Sequence, residues 1–321
     1  MARSRLLPDN FTLALVATVT LASVLPASGA MGAFFEKATV AVVALLFFMH
    51  GAKLSREAVL AGLAHWRLHL LVVACTFALF PVLGLALRPL LEPLVTPELY
   101  LGVLFLCVLP ATVQSAIAFT AVARGNMAAA ICSASASTLL GIFITPLLVP
   151  LVLPVAGAAQ QDMLGSIGRI MLQLMLPFIA GHLLRPVIGG FIARHAAGLK
   201  FVDQGSVLLV VYTAFSAAVV AGLWRQLPLP ALAGLLVVCA VILGAALTAT
   251  TWLARRLGFS KEDEITIVFC GSKKSLVSGV PMAKVLFASQ AAGAIVLPLM
   301  VFHQMQLMVC AVLAQRYARR R

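Results

Sequence analysis

Apolar residues run through the chain in long blocks, broken by short polar or basic stretches. Hydropathy read in windows of about 19 residues predicts ten membrane spans, at 11–30, 38–52, 68–88, 99–122, 127–155, 165–185, 205–223, 230–254, 264–286 and 290–314. A helix needs roughly 20 apolar residues to cross the hydrocarbon, so these spans leave no room for a separate soluble domain. Two spans break the pattern. In the fourth, Leu109-Pro110-Ala111-Thr112-Val113-Gln114-Ser115 sets a proline, which removes a helix hydrogen bond, ahead of polar side chains. In the ninth, Val268 to Met282 reads Val-Phe-Cys-Gly-Ser-Lys-Lys-Ser-Leu-Val-Ser-Gly-Val-Pro-Met. There Gly271, Ser272, Ser275, Ser278, Gly279 and Pro281 argue against a continuous helix. Irregular backbone at membrane depth is tolerated only where protein or a wet cavity satisfies its polar groups. Breaks at positions four and nine divide the chain into two five-helix repeats, 1–160 and 161–321. Five is odd, so the second repeat is inverted, and the broken helices are expected to cross near the midplane. The predicted fold is an all-α membrane protein of ten transmembrane helices in two inverted repeats.

Composition removes the soluble alternatives. The chain is 62% hydrophobic and 10% charged, with a mean hydropathy of +1.08, whereas soluble domains are nearer half apolar and a quarter charged. The net charge of +13 is not a nucleic-acid signal, because the basic residues cluster between apolar runs, where they fix orientation. With a cytoplasmic N-terminus, Arg3, Arg5, Lys53, Arg56, Arg67, Arg124, Arg185, Arg194, Lys200, Arg255, Arg256, Lys261, Arg316, Arg319, Arg320 and Arg321 fall inside. Lys37, Arg88, Arg169 and Arg225 fall outside. This roughly fourfold bias predicts that both termini are cytoplasmic. Cys75, Cys107, Cys132, Cys239, Cys270 and Cys310 lie singly in apolar runs and read as buried thiols rather than as metal ligands or disulfides. The apolar run from Phe11 is long enough to span and carries no convincing cleavage site, so no cleaved signal peptide is expected.

Lys273 and Lys274 are the candidate chemistry. A charge at the bilayer centre costs roughly 3 kcal/mol on insertion scales, and such residues face a polar interior and mark function. Gln114 and Ser115 follow the proline of the other break and are read as binding residues. His303 and Gln304 in the tenth span suit either a site or an interhelical hydrogen bond. Ser133, Ser135, Ser137 and Thr138 show small-residue spacing that serves close helix packing equally well. Lys284, near the end of its span, is expected to snorkel to the interface. His50 is expected to pack, and Arg124-Gly125-Asn126 to form a tight turn. An enzyme working through Cys270 or His303 is disfavoured, because no nucleophile and base pair up and no HExxH pattern occurs. An ATP-driven pump is excluded for want of a P-loop.

The run Phe269-Cys270-Gly271-Ser272-Lys273-Lys274-Ser275-Leu276, with Ser278-Gly279-Val280-Pro281-Met282-Ala283, resembles the signature of one branch of the bile acid:sodium symporter family. That branch holds bacterial sodium-dependent transporters and the seventh human member of solute carrier family 10. Further matching stretches are Phe48-Met49-His50-Gly51 with Leu54-Ser55, His65-Trp66-Arg67-Leu68-His69, Leu109-Pro110 with Val113-Gln114-Ser115, and Ala123-Arg124-Gly125-Asn126. Cys132-Ser133-Ala134-Ser135-Ala136-Ser137, and His303-Gln304 with Gln306-Leu307, complete the set, which extends from about residue 8 to 316. The resemblance implies a panel of spans 1, 2, 6 and 7 and a core of spans 3, 4, 5, 8, 9 and 10, with spans 4 and 9 crossing. It also implies alternating-access transport of an organic anion, and the site is expected between the crossing and the panel. The short loops and the lack of targeting extensions lead to the expectation of a bacterial inner membrane.

In sodium-coupled members of that family the ninth helix supplies a carboxylate and a glutamine to two sodium sites. By the resemblance, Phe269 stands where the glutamate belongs, Lys273 where the glutamine belongs, and Thr76 where a third-span glutamine belongs. Gln114, Ser115, Ser133 and Ser137 still offer neutral oxygens, but no carboxylate balances a cation. An ammonium about 4 Å away repels sodium by roughly 4 kcal/mol at an effective dielectric of 20. The expectation is that the ammonium of Lys273 or Lys274 occupies the place of a sodium ion. It would donate to carbonyls and to serines such as Ser272 and Ser275, and attract an anion. Adjacent helical residues point about 100° apart, so one lysine alone should face the crossing, and the resemblance favours Lys273. No carboxylate lies in the apolar part of any span, which leaves lysine and histidine as groups that could couple transport to protons. The leading expectation is a secondary transporter of a small anionic organic solute, without the family's usual sodium coupling. The alternatives are a sodium-dependent symporter with rebuilt sites and a transport-inactive regulatory protein of the same fold. The lipid bilayer is the other partner; no cofactor is expected, with sodium the one ion in question.

Overall fold

The structure, a computed structural model, describes residues 10–53, 65–153, 163–287 and 289–320, and among the described residues every regular element is helical. Arg3, Arg5, Arg56 and Arg321 of the charge pattern, and Leu54 and Ser55 of the signature, lie outside them. In order the longer helices are α1 (Asn10–Val24), α2 (Gly29–Lys53), α3 (Trp66–Ala86), α4 (Pro97–Val108), α5 (Gln114–Val122) and α6 (Met127–Val152). They continue as α7 (Met163–Arg194), α8 (Ala196–Val220), α9 (Leu229–Arg256), α10 (Lys261–Gly271), α11 (Leu276–Leu286) and α12 (Ser289–Ala318). Seven of them (α2, α3, α6, α7, α8, α9 and α12) contain a stretch long and apolar enough to cross a membrane. The other three predicted spans fall on the 15-residue α1 and on the two broken pairs, α4–α5 and α10–α11. The chain is an integral membrane protein.

The first two span boundaries differ from expectation. α1 stops at Val24 and α2 already begins at Gly29, because Pro26 has no N–H to donate and pushes its predecessor out of the helical region. The connecting Leu25-Pro26-Ala27-Ser28 is itself nearly apolar, so a hydropathy window reads straight through it.

The chain gathers into two compact units. The first comprises Met1–Lys53, Leu172–Pro228 and Val280–Val296, which takes in predicted spans 1, 2 and 7 and most of span 6. Its helices meet through small residues and a few buried polar links. Gly51 on α2 and Gly181 on α7 press backbone against backbone: an added Cβ would lie 1.9 Å from Phe178 O at the first and 2.0 Å from Phe48 O at the second. Thr39 donates to Thr213 Oγ1 at 3.0 Å, Tyr212 OH to Leu25 O at 2.8 Å and Trp224 Nε1 to Ser23 Oγ at 3.0 Å. Asp203 on α8 is buried and pairs with Lys53. Lys284 does not snorkel as expected. Its side chain is 7% exposed and its Nζ donates to Glu36 Oε1 at 2.6 Å, since a carboxylate within reach on α2 neutralises the charge where the lysine stands. His50 packs as expected, its Nδ1 bonded to Leu46 O of its own helix at 2.7 Å.

The second unit comprises Leu54–Met171, Leu229–Gly279 and Leu297–Arg321. Leu68, Val72, Ala116, Ala129, Ala130, Ala254, Ile267 and Cys270 pack as one apolar cluster, and Ala123, Ile265, Phe269, Cys310 and Ala314 as another. These two clusters bring α3, α5, α6, α9, α10 and α12 together. One end of α10 is fixed by charge. Glu264, 4% exposed, accepts from Arg255, from Lys261 Nζ at 2.6 Å and from Tyr317 OH at 2.9 Å. The Arg124-Gly125-Asn126 turn forms as expected and docks there. Asn126 caps α6 through Ala129 N and donates to Asp263 Oδ1 at 2.9 Å, and Gly125 lies so close to Ile265 that a Cβ would meet it at 2.6 Å.

Candidate functional site

Both predicted breaks are present, and they meet inside the second unit. α4 ends at Val108 and α5 begins at Gln114; α10 ends at Gly271 and α11 begins at Leu276. Ser275 N donates to Pro110 O at 2.9 Å and joins one break to the other. Glycines allow the approach. A Cβ on Gly141 of α6 would come within 2.6 Å of the Pro110 ring, and one on Gly279 of α11 within 2.4 Å of Leu109.

A helix that ends inside a membrane leaves its last carbonyls without intrahelical partners, and water is not there to take them. Here each carbonyl from Cys107 to Pro110 has a donor. Lys274 Nζ donates to Cys107 O at 2.8 Å and to Leu109 O at 2.7 Å. Thr145 Oγ1 of α6 donates to Val108 O at 2.8 Å, and Pro110 O takes Ser275 N. The N–H of Ala111 reaches Ser137 Oγ at 2.9 Å. Lys274 gives its third bond to Thr76 O at 2.7 Å. That carbonyl lies in a π turn of α3, Cys75–Leu79, where the wider turn disturbs the usual bonding ladder.

The other break is held by Gln306 of α12, which is fully buried. Its Oε1 accepts Lys274 N and its Nε2 donates to Lys274 O, both at 2.9 Å. Nε2 also lies 2.9 Å from His303 Nδ1, so the amide orients the imidazole as well. Ser272 Oγ donates back to Val268 O at 2.6 Å. Ser275 caps α11, its Oγ accepting Ser278 N at 3.1 Å, as serine does at helix starts.

Lys273 sits differently. Its Nζ donates to one carbonyl, Ser115 O, at 2.9 Å, and lies 4.0 Å from the ring centre of Phe119 and 5.4 Å from that of Phe269. Lys274 Nζ has the ring of Phe80 at 4.2 Å. Aromatic faces attract cations, more strongly once water is excluded. Both lysines are fully buried, and among the described residues neither is paired with a carboxylate.

The expectation that one lysine alone faces the crossing is therefore corrected. Both ammonium groups reach the 107–115 stretch, because residues 272–275 are not helical and the 100° spacing does not apply to them. Thr76 belongs to the site through its carbonyl; its hydroxyl bonds back to Val72 O at 2.8 Å. Ser115 likewise serves through its carbonyl, while its hydroxyl pairs with that of Thr112 at 2.7 Å. Ser137 reaches the break, but Ser133 instead shares a hydrogen bond with His69 Nδ1 at 2.7 Å. Gln114 is exposed at the start of α5, and Gln304 is half-buried on α12. The residues missed from the sequence are Gln306, Thr145, Phe80 and Phe119. Gln306 stood in the quoted signature, as a polar side chain in an apolar helix, and that was its available signal.

The SBF-like CPA transporter family matches residues 9–319. The chain belongs to this family. Relatives within reach are "Uncharacterized protein PA2026" of Pseudomonas aeruginosa, 68% identical over 100% of this chain and 96% of that protein. "Putative symporter YfeH" of Escherichia coli (strain K12) is 58% identical over 97% of this chain and 93% of that protein. "Sodium/bile acid cotransporter 7" of Rattus norvegicus is 27% identical over 96% of this chain and 92% of that protein. The chain is thus a member of a transporter family related to the bile acid:sodium symporters.

Proposed function

We propose that the protein is a secondary transporter that moves a small anionic organic solute by alternating access, without sodium coupling of the kind its family name suggests. One observation carries the reading: two buried ammonium groups, unneutralised by carboxylates among the described residues, stand at the meeting point of two broken helices. A cation from solution would be repelled there, while an anion would be drawn in. The N-termini of α5 and α11 open at the same breaks, and helix N-termini favour negative charge. The two breaks are also satisfied alike. Ser137 of α6 accepts Ala111 N at one, and Gln306 of α12 accepts Lys274 N at the other. That correspondence supports two inverted five-helix repeats, 1–160 and 161–321, since α6 and α12 would then be equivalent fifth helices. The basic residues between spans support cytoplasmic termini, and we place the protein in a bacterial inner membrane.

The direct test is uptake of a panel of labelled organic anions into proteoliposomes containing the purified protein, with sodium, potassium or choline outside. Accumulation of one anion that is equal in all three salts, and lost in Lys273→Glu, is the expected result. Uptake that requires a sodium gradient would contradict the reading. A sodium-dependent symporter with rebuilt sites would then replace it.

A further inference from the structure

We propose that the carbonyls of Thr76, Cys107 and Leu109, roofed by the ring of Phe80, form a monovalent-cation site whose resident cation is the chain's own Lys274 ammonium. The inference deepens the functional reading above and rests on it only for its consequence in transport.

The two adjacent lysines differ in how many of their donors are used. An ammonium has three N–H donors and no acceptor. Lys274 places all three on carbonyl oxygens, at 2.7, 2.8 and 2.7 Å, and its remaining side faces Phe80 at 4.2 Å. Lys273 has one carbonyl at 2.9 Å and otherwise only ring faces. One lysine is coordinated; the other is caged. The three oxygens belong to elements other than the lysine's own, the π turn of α3 and the open end of α4. They converge on a point, as oxygens do around a dissolved ion stripped of its water. Gln306 holds the Lys274 backbone by both its N–H and its C=O, and so fixes where the ammonium is delivered.

The donor set also defines the class of ion. Neutral carbonyls without a carboxylate suit a single positive charge; calcium and magnesium sites draw on carboxylates. Contacts of this length match ammonium or potassium, which sit farther from carbonyl oxygens than sodium does. In transport terms the crossing carries a cation it never releases, so no ion from solution is needed to hold the broken helices together.

The test is cation rescue of thermal stability. Wild type, Lys274→Ala, Lys274→Met and Lys273→Ala are melted in choline chloride, and then with part of the choline replaced by ammonium, methylammonium, potassium or sodium at equal ionic strength. Lys274→Ala should melt below wild type and regain about half or more of the lost Tm in ammonium or methylammonium, because a ligand bound only by the folded state stabilises it by mass action. Lys274→Met, whose side chain fills the hole without charge, should melt low and respond to none of them, and Lys273→Ala should not respond either. A Lys274→Ala protein obtainable only when methylammonium is present throughout purification meets the same expectation. The proposal is overturned if no cation rescues Lys274→Ala, if Lys273→Ala is rescued equally, or if Lys274→Met is as stable as wild type. The functional reading is judged by a different arm, sodium on wild type. A sodium response there would sink that reading and leave the carbonyl site standing.

Discussion

At the scale of single residues, the site is an answer to backbone groups with nowhere else to bond. Four successive carbonyls at and just beyond the end of α4 take donors from Lys274, Thr145 and Ser275, and one amide side chain, Gln306, secures the non-helical stretch that carries the lysine. Gln306→Leu removes three hydrogen bonds and leaves Lys274 N and O without partners. Interhelical bonds average about 0.6 kcal/mol in membranes, and buried orphans cost about 1–3 kcal/mol. The expected loss is therefore about 2 kcal/mol, read from equilibrium unfolding in mixed micelles; a change below about 0.5 kcal/mol would show that the clamp is not needed. Ser275→Ala should cost about 1 kcal/mol by removing the α11 cap, checked by the same measurement, and Ser275→Asn should restore most of it. The lysines were legible because a charge in an apolar run has few explanations. Their partners were not, since every residue has a carbonyl and nothing in the residue letters says which ones a fold leaves open. That is why Thr76 was named for its side chain and enters through its backbone.

At the scale of elements, breaks and contacts were legible in different degrees. Pro110 and the glycines and serines around Lys273 marked where α4 and α10 stop. The 100° spacing of neighbouring side chains does not hold across residues 272–275, because it belongs to continuous helix and these residues form the break. The loop at Pro26 was invisible to hydropathy, being apolar itself. The glycine pair Gly51 and Gly181 was half legible: Gly51 stood in a quoted motif, but its partner on α7 stood in none. A Cβ at either position would fall 1.9 or 2.0 Å from a carbonyl oxygen, far inside van der Waals contact, and backbone cannot turn aside as a side chain can. Gly51→Ala and Gly181→Ala should each destabilise by about 1–3 kcal/mol, seen as a lower Tm. Gly244 of α9 has open space around it. Gly244→Ala should be neutral or stabilising by up to about 1 kcal/mol, through helix propensity alone. Equal effects at the three positions would mean that the α2–α7 contact is not as tight as described.

At the scale of the whole molecule, the seven membrane-length helices and two broken pairs found among the described residues belong to a chain of a transporter family whose relatives carry symporter and sodium/bile acid names. The composition made the membrane assignment plain, and the spacing of the breaks suggested a duplicated, inverted plan. The chemistry where the breaks meet departs from what the relatives' names lead one to expect: the charged side chains that gather there are cationic, and the carbonyls of Thr76, Cys107 and Leu109 already accept from Lys274. Whether an ion from solution is still bound there separates a transporter without sodium coupling from a cation-coupled symporter. The most direct measurement is the melting temperature of the purified wild-type protein in sodium, potassium and choline chloride at matched ionic strength, beside Lys273→Glu. The account predicts that wild-type Tm is the same in all three salts to within about 1 °C, while Lys273→Glu, which places a carboxylate beside Ser115 O, gains a stabilisation specific to sodium. Stabilisation of the wild type by millimolar sodium, with potassium and choline inert, would contradict it and make the protein a cation-coupled symporter.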